Sequence, residues 1–123
     1  MKTKVLLAGC GLPVFTVVQR VMDKVGVTSY LVARYAKKVE TSMVKQVDVA
    51  VIEWGEPEPF TGVLVGLRQL NPKIDIIVIT SRDITHEEQS AATVVLRFDP
   101  SLELDPSLEM ALEVVLGPKV KAS

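Results

Sequence analysis

Apolar residues fall along this chain in two alternating rhythms, short unbroken runs and stripes spaced three and four apart. Lys4-Val5-Leu6-Leu7-Ala8 is a continuous run that stops at Gly9-Cys10-Gly11, as a strand buried on both faces does. Pro13 then opens a helix where its missing N–H costs nothing, and Val14, Val17, Val18, Val21, Met22 and Val25 follow at helical spacing up to Gly26, a C-cap. Val27 to Arg34 reads as a second strand. Ala36, Val39, Met43, Val44 and Val47 mark the inner stripe of a second helix over Tyr35–Gln46. Asp48 to Trp54 is a third strand, ended by the loop Gly55-Glu56-Pro57-Glu58-Pro59.

Phe60, Val63, Leu64, Leu67 and Leu70 sketch a third helix, stopped by Asn71-Pro72. Ile74 to Ile79 is a fourth strand running into Thr80-Ser81-Arg82-Asp83. Thr85-His86-Glu87-Glu88 has the form of a helix start, a capping residue followed by acids in the first turn. That fourth helix is short, because Thr93 to Phe98 already reads as a fifth strand. Asp105 caps the last helix, Pro106 opens it, Leu108, Ala111, Leu112, Val115 and Leu116 form its stripe, and Gly117-Pro118 is expected to end it.

Five strands alternating with five helices require parallel pairing and right-handed crossovers, with helices on both faces of the sheet. The expected architecture is an α/β flavodoxin-like doubly wound (βα)5 sandwich of strand order 2-1-3-4-5, with residues 1–123 forming one domain. Any site then lies beyond the C-terminal strand ends, near the switch between strands one and three.

Composition narrows the function classes. Val (21) and Ile (6) together are 27 of 123 residues, a balance that favours buried strands over a helical bundle. One Cys and one His exclude a disulfide framework and a zinc site of the usual Cys/His kind. A formal charge of −1 leaves no bulk basic excess for nucleic acid. No apolar run reaches the ~20 residues of a membrane span, and the start is not a signal peptide, so a cytoplasmic protein is expected. The even total hides a gradient: residues 1–47 carry eight basic and two acidic groups, a net of +6, and residues 48–123 carry six basic and thirteen acidic, a net of −7. Such halves either form a basic and an acidic face for charged protein partners or are two solvated surfaces without a role.

Pattern alone places Gly9, Cys10, Gly11, Glu53, Thr80 to Asp83, Arg97 and Asp99 at the C-terminal strand edge. The stretch Asp48-Val-Ala-Val-Ile-Glu53-Trp54, with Pro57, Gly62, Leu67-Arg-Gln-Leu-Asn-Pro72 and Ile76-Ile-Val-Ile-Thr80-Ser81, resembles the receiver domain of bacterial two-component response regulators. The likeness covers nearly the whole chain and is most specific over residues 48–81. By this resemblance, an acidic pair at the end of strand one would hold Mg²⁺ with an acceptor aspartate of strand three. Here those places fall on Gly9, Cys10 and Glu53. The strand-four hydroxyl matches as Thr80, followed by Ser81. The strand-five lysine falls on Arg97, and the switch aromatic on Val94.

Mg²⁺ needs near-octahedral oxygen ligation, and phosphoryl transfer relies on the metal and positioned cations. Glu53 alone does not supply this, so no metal, no cofactor and negligible phosphorylation are expected. Glu53 either imitates a phosphorylated aspartate or forms an inert ion pair with Arg97, with Thr80 or Ser81 close by.

Other features have competing readings. Cys10 sits before a helix N-terminus, where amides and the dipole lower a thiol pKa, and Lys4 to Gly11 with Thr16 resembles the phosphocysteine loop of sugar phosphotransferase-system B-type domains. A phosphate-handling enzyme or phosphocarrier using Cys10 as nucleophile is therefore the alternative function. Against it stands a small buried thiol filling the turn. Gly9-Cys-Gly11 half-matches a dinucleotide fingerprint, without its third glycine or an acid at Arg34. His86 reads as solvated, and Trp54 either anchors a partner or covers the core.

The reading that results is a degenerate receiver, or pseudo-receiver, that is not an enzyme. It would act through protein contacts in a signalling or scaffolding complex, chemotaxis-type complexes included, with the receiver fold consuming the whole chain. Its expected interaction face joins helix four, strand five and helix five through Val94, Leu96, Met110 and Val114, in a homodimer or against a partner.

Overall fold

The unbroken apolar runs pair edge to edge into one five-stranded parallel sheet, in the order β2-β1-β3-β4-β5. In this computed structural model, which describes residues 2–101 and 106–122, the strands are β1 (Lys4–Ala8), β2 (Ser29–Ala33), β3 (Val49–Glu53), β4 (Asp75–Thr80) and β5 (Val94–Arg97). The helices are α1 (Leu12–Val25), α2 (Thr41–Gln46), α3 (Thr61–Leu70), α4 (His86–Ala91) and α5 (Pro106–Ala122). The Asp105 cap expected for the last helix lies outside the described residues.

Strand parity divides the core. Val5, Leu7, Val49, Val51, Ile77 and Ile79 face α1 and α5, where they meet Val14, Val18, Leu108, Leu112 and Leu116. Leu6, Ala50, Ile52, Ile76 and Val78 face the other way, onto Val44, Phe60 and Leu64. The three central strands are buried on both sides, which is why their sequences read as continuous apolar runs rather than alternating ones.

Two elements depart from the pattern. The second helix spans only Thr41–Gln46, where the stripe predicted Tyr35–Gln46. Residues 34–40 form a loop instead: a turn closes from Lys38 N to Tyr35 O, and Lys37 is held by Glu56 and Glu58 of the β3–α3 loop. Ala36 and Val39 still pack on the core from that loop, so burial alone produced the helical-looking spacing. The last helix also runs on through Gly117-Pro118 to Ala122. Val120 packs on the α1/α5 side of the core and Lys119 pairs with Asp75 at 3.2 Å, contacts that hold the final turn despite the proline.

The charge gradient also resolves differently from two separate faces. Arg20 and Lys24 of α1 pair with Glu109 of α5 at 3.2 and 3.0 Å, and Lys37 with Glu56 at 3.8 Å. Part of the basic excess of the first half is thus neutralised inside the fold by the acidic excess of the second.

Candidate functional site

The C-terminal ends of β1 and β3 converge on Gly9, Cys10 and Glu53. Gly9 adopts φ +69°, and a Cβ there would lie 3.1 Å from Ala36 N, so glycine alone suits this turn. The turn feeds α1, whose N-cap is Gly11, and Gly11 N–H donates to Glu53 Oε1 at 2.7 Å. Glu53 is half-buried. Burial raises its carboxyl pKa against the opposing effect of that single N–H.

Cys10 fills the turn as a small apolar group. Its Sγ lies 3.8 Å from Ala8 O and 4.0 Å from Val51 O, and the residue packs on the α1/α5 side of the core. Burial, with Glu53 beside it, pushes the thiol up to about 12. The lowering expected from the helix start is outweighed, and a thiol so fully protonated is a poor nucleophile.

The remaining receiver-like positions lie elsewhere. Glu53 is level with Ile79, and Thr80 is level with Arg97, one residue out of step. Alternation therefore sends Glu53 toward the α1/α5 side of the sheet, and Thr80 and Arg97 toward the other. Thr80 is fully buried and its Oγ1 donates to Trp54 O at 2.8 Å. Arg97 pairs with Asp83 at 3.2 Å and reaches Ser81 O at 3.4 Å. The Glu53–Arg97 ion pair expected from the sequence is not formed, because strand parity separates the two side chains.

Trp54 belongs to the core. It is 2% exposed, donates from Nε1 to Glu58 O at 2.9 Å, and meets Phe60 edge-on with centroids 6.1 Å apart. His86 is exposed, as expected. Met110 and Val114 are 69% and 73% exposed on α5, and Val94 and Leu96 are half-buried on β5.

Sequence reasoning passed over two features. Arg82 and Glu88 form a hub: Arg82 Nη2 lies 2.5 Å from Glu88 Oε2, which also accepts from Phe60 N at 3.2 Å, while Oε1 accepts from Thr85 N at 3.0 Å. Arg82 further donates to Glu56 O at 3.1 Å and Glu58 O at 3.2 Å, tying the β4–α4 loop to the β3–α3 loop. The other feature is a cleft of about 520 Å³ between the β1–α1, β2–α2 and β3–α3 connections. Arg34, Tyr35, Lys37 and Lys38 line it from the β2–α2 connection, and Glu53 and Trp54 from the end of β3 and the residue after it. The local signal was the run Arg34-Tyr-Ala-Lys-Lys38, which the helical stripe absorbed.

A Mg²⁺ ion of the receiver kind does not fit the donors present. Glu53 already accepts from Gly11, Gly9 and Cys10 stand where acids would be needed, and Glu56 is drawn to Lys37. Among the described residues no group of three or more His, Cys, Asp and Glu is placed to hold a metal ion. No helix among them is long and apolar enough to cross a membrane.

No protein-family model matches the sequence, and no curated protein matches it. Solved structures do share its fold. A Burkholderia pseudomallei protein described as pilus assembly-related superposes with a TM-score of 0.74 at 16% identity, over 98% of this chain and 90% of that one. A response regulator from Thermotoga maritima gives 0.71 at 15% identity, over 100% of both chains. A CheY-like receiver domain protein from Methanospirillum hungatei gives 0.64 at 14%, over 100% of this chain and 99% of that one. The five-stranded parallel sheet of order 2-1-3-4-5, with helices between its strands, is the fold of response-regulator receiver domains.

Proposed function

We propose that the chain is a phosphorylation-independent pseudo-receiver that works by protein–protein contact in signal transduction or scaffolding. The observation that carries this reading is the state of Glu53. Its carboxylate, at the place the sequence resemblance gives to the phosphoacceptor, already accepts from Gly11 N at 2.7 Å and lies on the opposite side of the sheet from Thr80 and Arg97. A phosphoryl group there would meet neither the metal nor the cation that stabilises developing charge. The role is then that of a binding surface rather than an enzyme, and a scaffolding role draws support from the fold neighbour described as pilus assembly-related. The high pKa of Cys10 weighs against the phosphocysteine alternative.

Intact-mass spectrometry after incubation with acetyl phosphate and Mg²⁺ tests the reading. The expected result is an unchanged mass. A gain of one phosphoryl group that disappears in Glu53→Gln overturns it, and a gain that disappears in Cys10→Ser favours the phosphocysteine alternative.

A further inference from the structure

The cleft beside Glu53 lies where the strand order reverses between β1 and β3, the position at which open parallel sheets take up ligands in general. At about 520 Å³ it has the size of a small-molecule site. Its walls differ in chemistry. Arg34 and Lys38 are exposed and make no ion pair among the described residues, and the Arg34 guanidinium lies 5.4 Å from the centroid of the exposed Tyr35 ring. Lys37 is different: held by Glu56 and Glu58, it sits 5.9 Å from the Trp54 ring centroid with its charge already neutralised. At the end of β3, Glu53 Oε1 is taken by Gly11 N–H, while its second oxygen has no hydrogen-bond partner among the described residues.

We propose that this cleft binds a small phosphate monoester carrying hydroxyl groups and a planar ring, a nucleoside monophosphate being the simplest such molecule. Electrostatics set its orientation. A phosphate is drawn to Arg34 and Lys38, which make no ion pair among the described residues, and repelled by Glu53, so it sits on the side of the two cations. The hydroxyl groups donate to the open oxygen of Glu53, and the ring lies against Tyr35. A purely acidic ligand, such as an acidic peptide segment, would use the cations but leave Glu53 facing like charge. The proposal does not rest on the protein-contact reading, and its failure leaves that reading intact.

Trp54 is the single tryptophan and lines the cleft, so its fluorescence reports occupancy. The probe is AMP, titrated into the whole chain at low ionic strength, with adenosine and inorganic phosphate as separate arms and calorimetry as a second readout. AMP is expected to bind saturably with a Kd of about 1 mM or tighter, and adenosine and phosphate at least about tenfold more weakly. Arg34→Ala combined with Lys38→Ala is expected to weaken AMP about tenfold or more. Both side chains are exposed, so an unchanged thermal midpoint confirms that the variant is folded. Absence of saturable AMP binding up to about 10 mM overturns the proposal. So does AMP binding that the double variant leaves unchanged, or phosphate binding as tightly as AMP, which would leave Glu53 and Tyr35 without a part.

Discussion

Glu53 is half-buried and Glu88 buried, and their carboxyl groups move in opposite directions. Glu88 is 1% exposed, yet the Arg82 guanidinium beside it, with the Thr85 and Phe60 N–H groups, holds its pKa down to about 2 from an ordinary 4.5. Glu53 has one N–H and no cation, so burial prevails and its pKa rises. For Glu88 the depressed value means stability that is fully present above the ordinary carboxylate pKa and lost as the pH falls from 4.5 through about 2. The shift corresponds to about 3 kcal/mol. Glu88→Gln is therefore expected to lower the urea-derived unfolding free energy by about that amount near neutral pH, with the gap narrowing by about pH 3. A gap that does not change with pH would show that the charge is irrelevant. The sign reverses for Glu53, whose raised pKa disfavours the folded state once the carboxyl ionises. Glu53→Gln keeps an acceptor for Gly11 N–H, and is expected to leave the thermal midpoint unchanged or raise it near neutral pH. A fall in the midpoint at that pH contradicts this account.

What was readable at this scale followed from distance along the chain. Thr85 and Glu88 form a capping box, and both signals lie within one turn of sequence. The partner that matters more to Glu88 is Arg82, which is fixed by carbonyls of Glu56 and Glu58 on another loop, and nothing local announces it. Glu53 and Arg97 mislead for a related reason. Both sit at strand ends, but a one-residue offset in register decides which side of the sheet each faces.

Among the elements, strands were more legible than helix limits. A strand buried on both faces has an apolar signature that survives any register, whereas a periodic stripe records burial and not backbone shape. Residues 34–40 carry such a stripe as a loop, and that loop became the basic wall of the cleft. At the other end, α5 retains Pro118 inside its last turns, on an exposed position. Proline there removes one helical hydrogen bond without contributing core packing. Pro118→Ala is expected to stabilise the chain by about 1 kcal/mol, less than the full interior penalty because the helix ends four residues later. A raised midpoint in thermal unfolding by circular dichroism checks it, and a lowered one would mean that the proline holds the C-terminal turns in place.

Over the whole molecule, charge and apolar surface pull apart. The α1–α5 seam is closed by Arg20 and Lys24 against Glu109, so polar contacts on that side are satisfied internally. What α5 leaves toward solvent is Met110 and Val114, and β5 beside it is an edge strand carrying Val94 and Leu96 half-buried. Four apolar side chains are too few to form an interface by themselves, since a stable pair of proteins buries about 1,200–2,000 Å² in total. Self-association through this face would use β5, α5 and a polar rim around them, leaving the Arg34–Lys38 wall at the opposite edge of the sheet free. On this reading the unmodified chain forms a homodimer at high concentration, with twice the monomer mass by light scattering. Met110→Glu combined with Val114→Lys is expected to return it to the monomer mass without lowering the thermal midpoint, because neither side chain packs in the core. An unmodified chain that stays monomeric at high concentration, together with a double variant that still captures its cellular partners, places the interaction on another face.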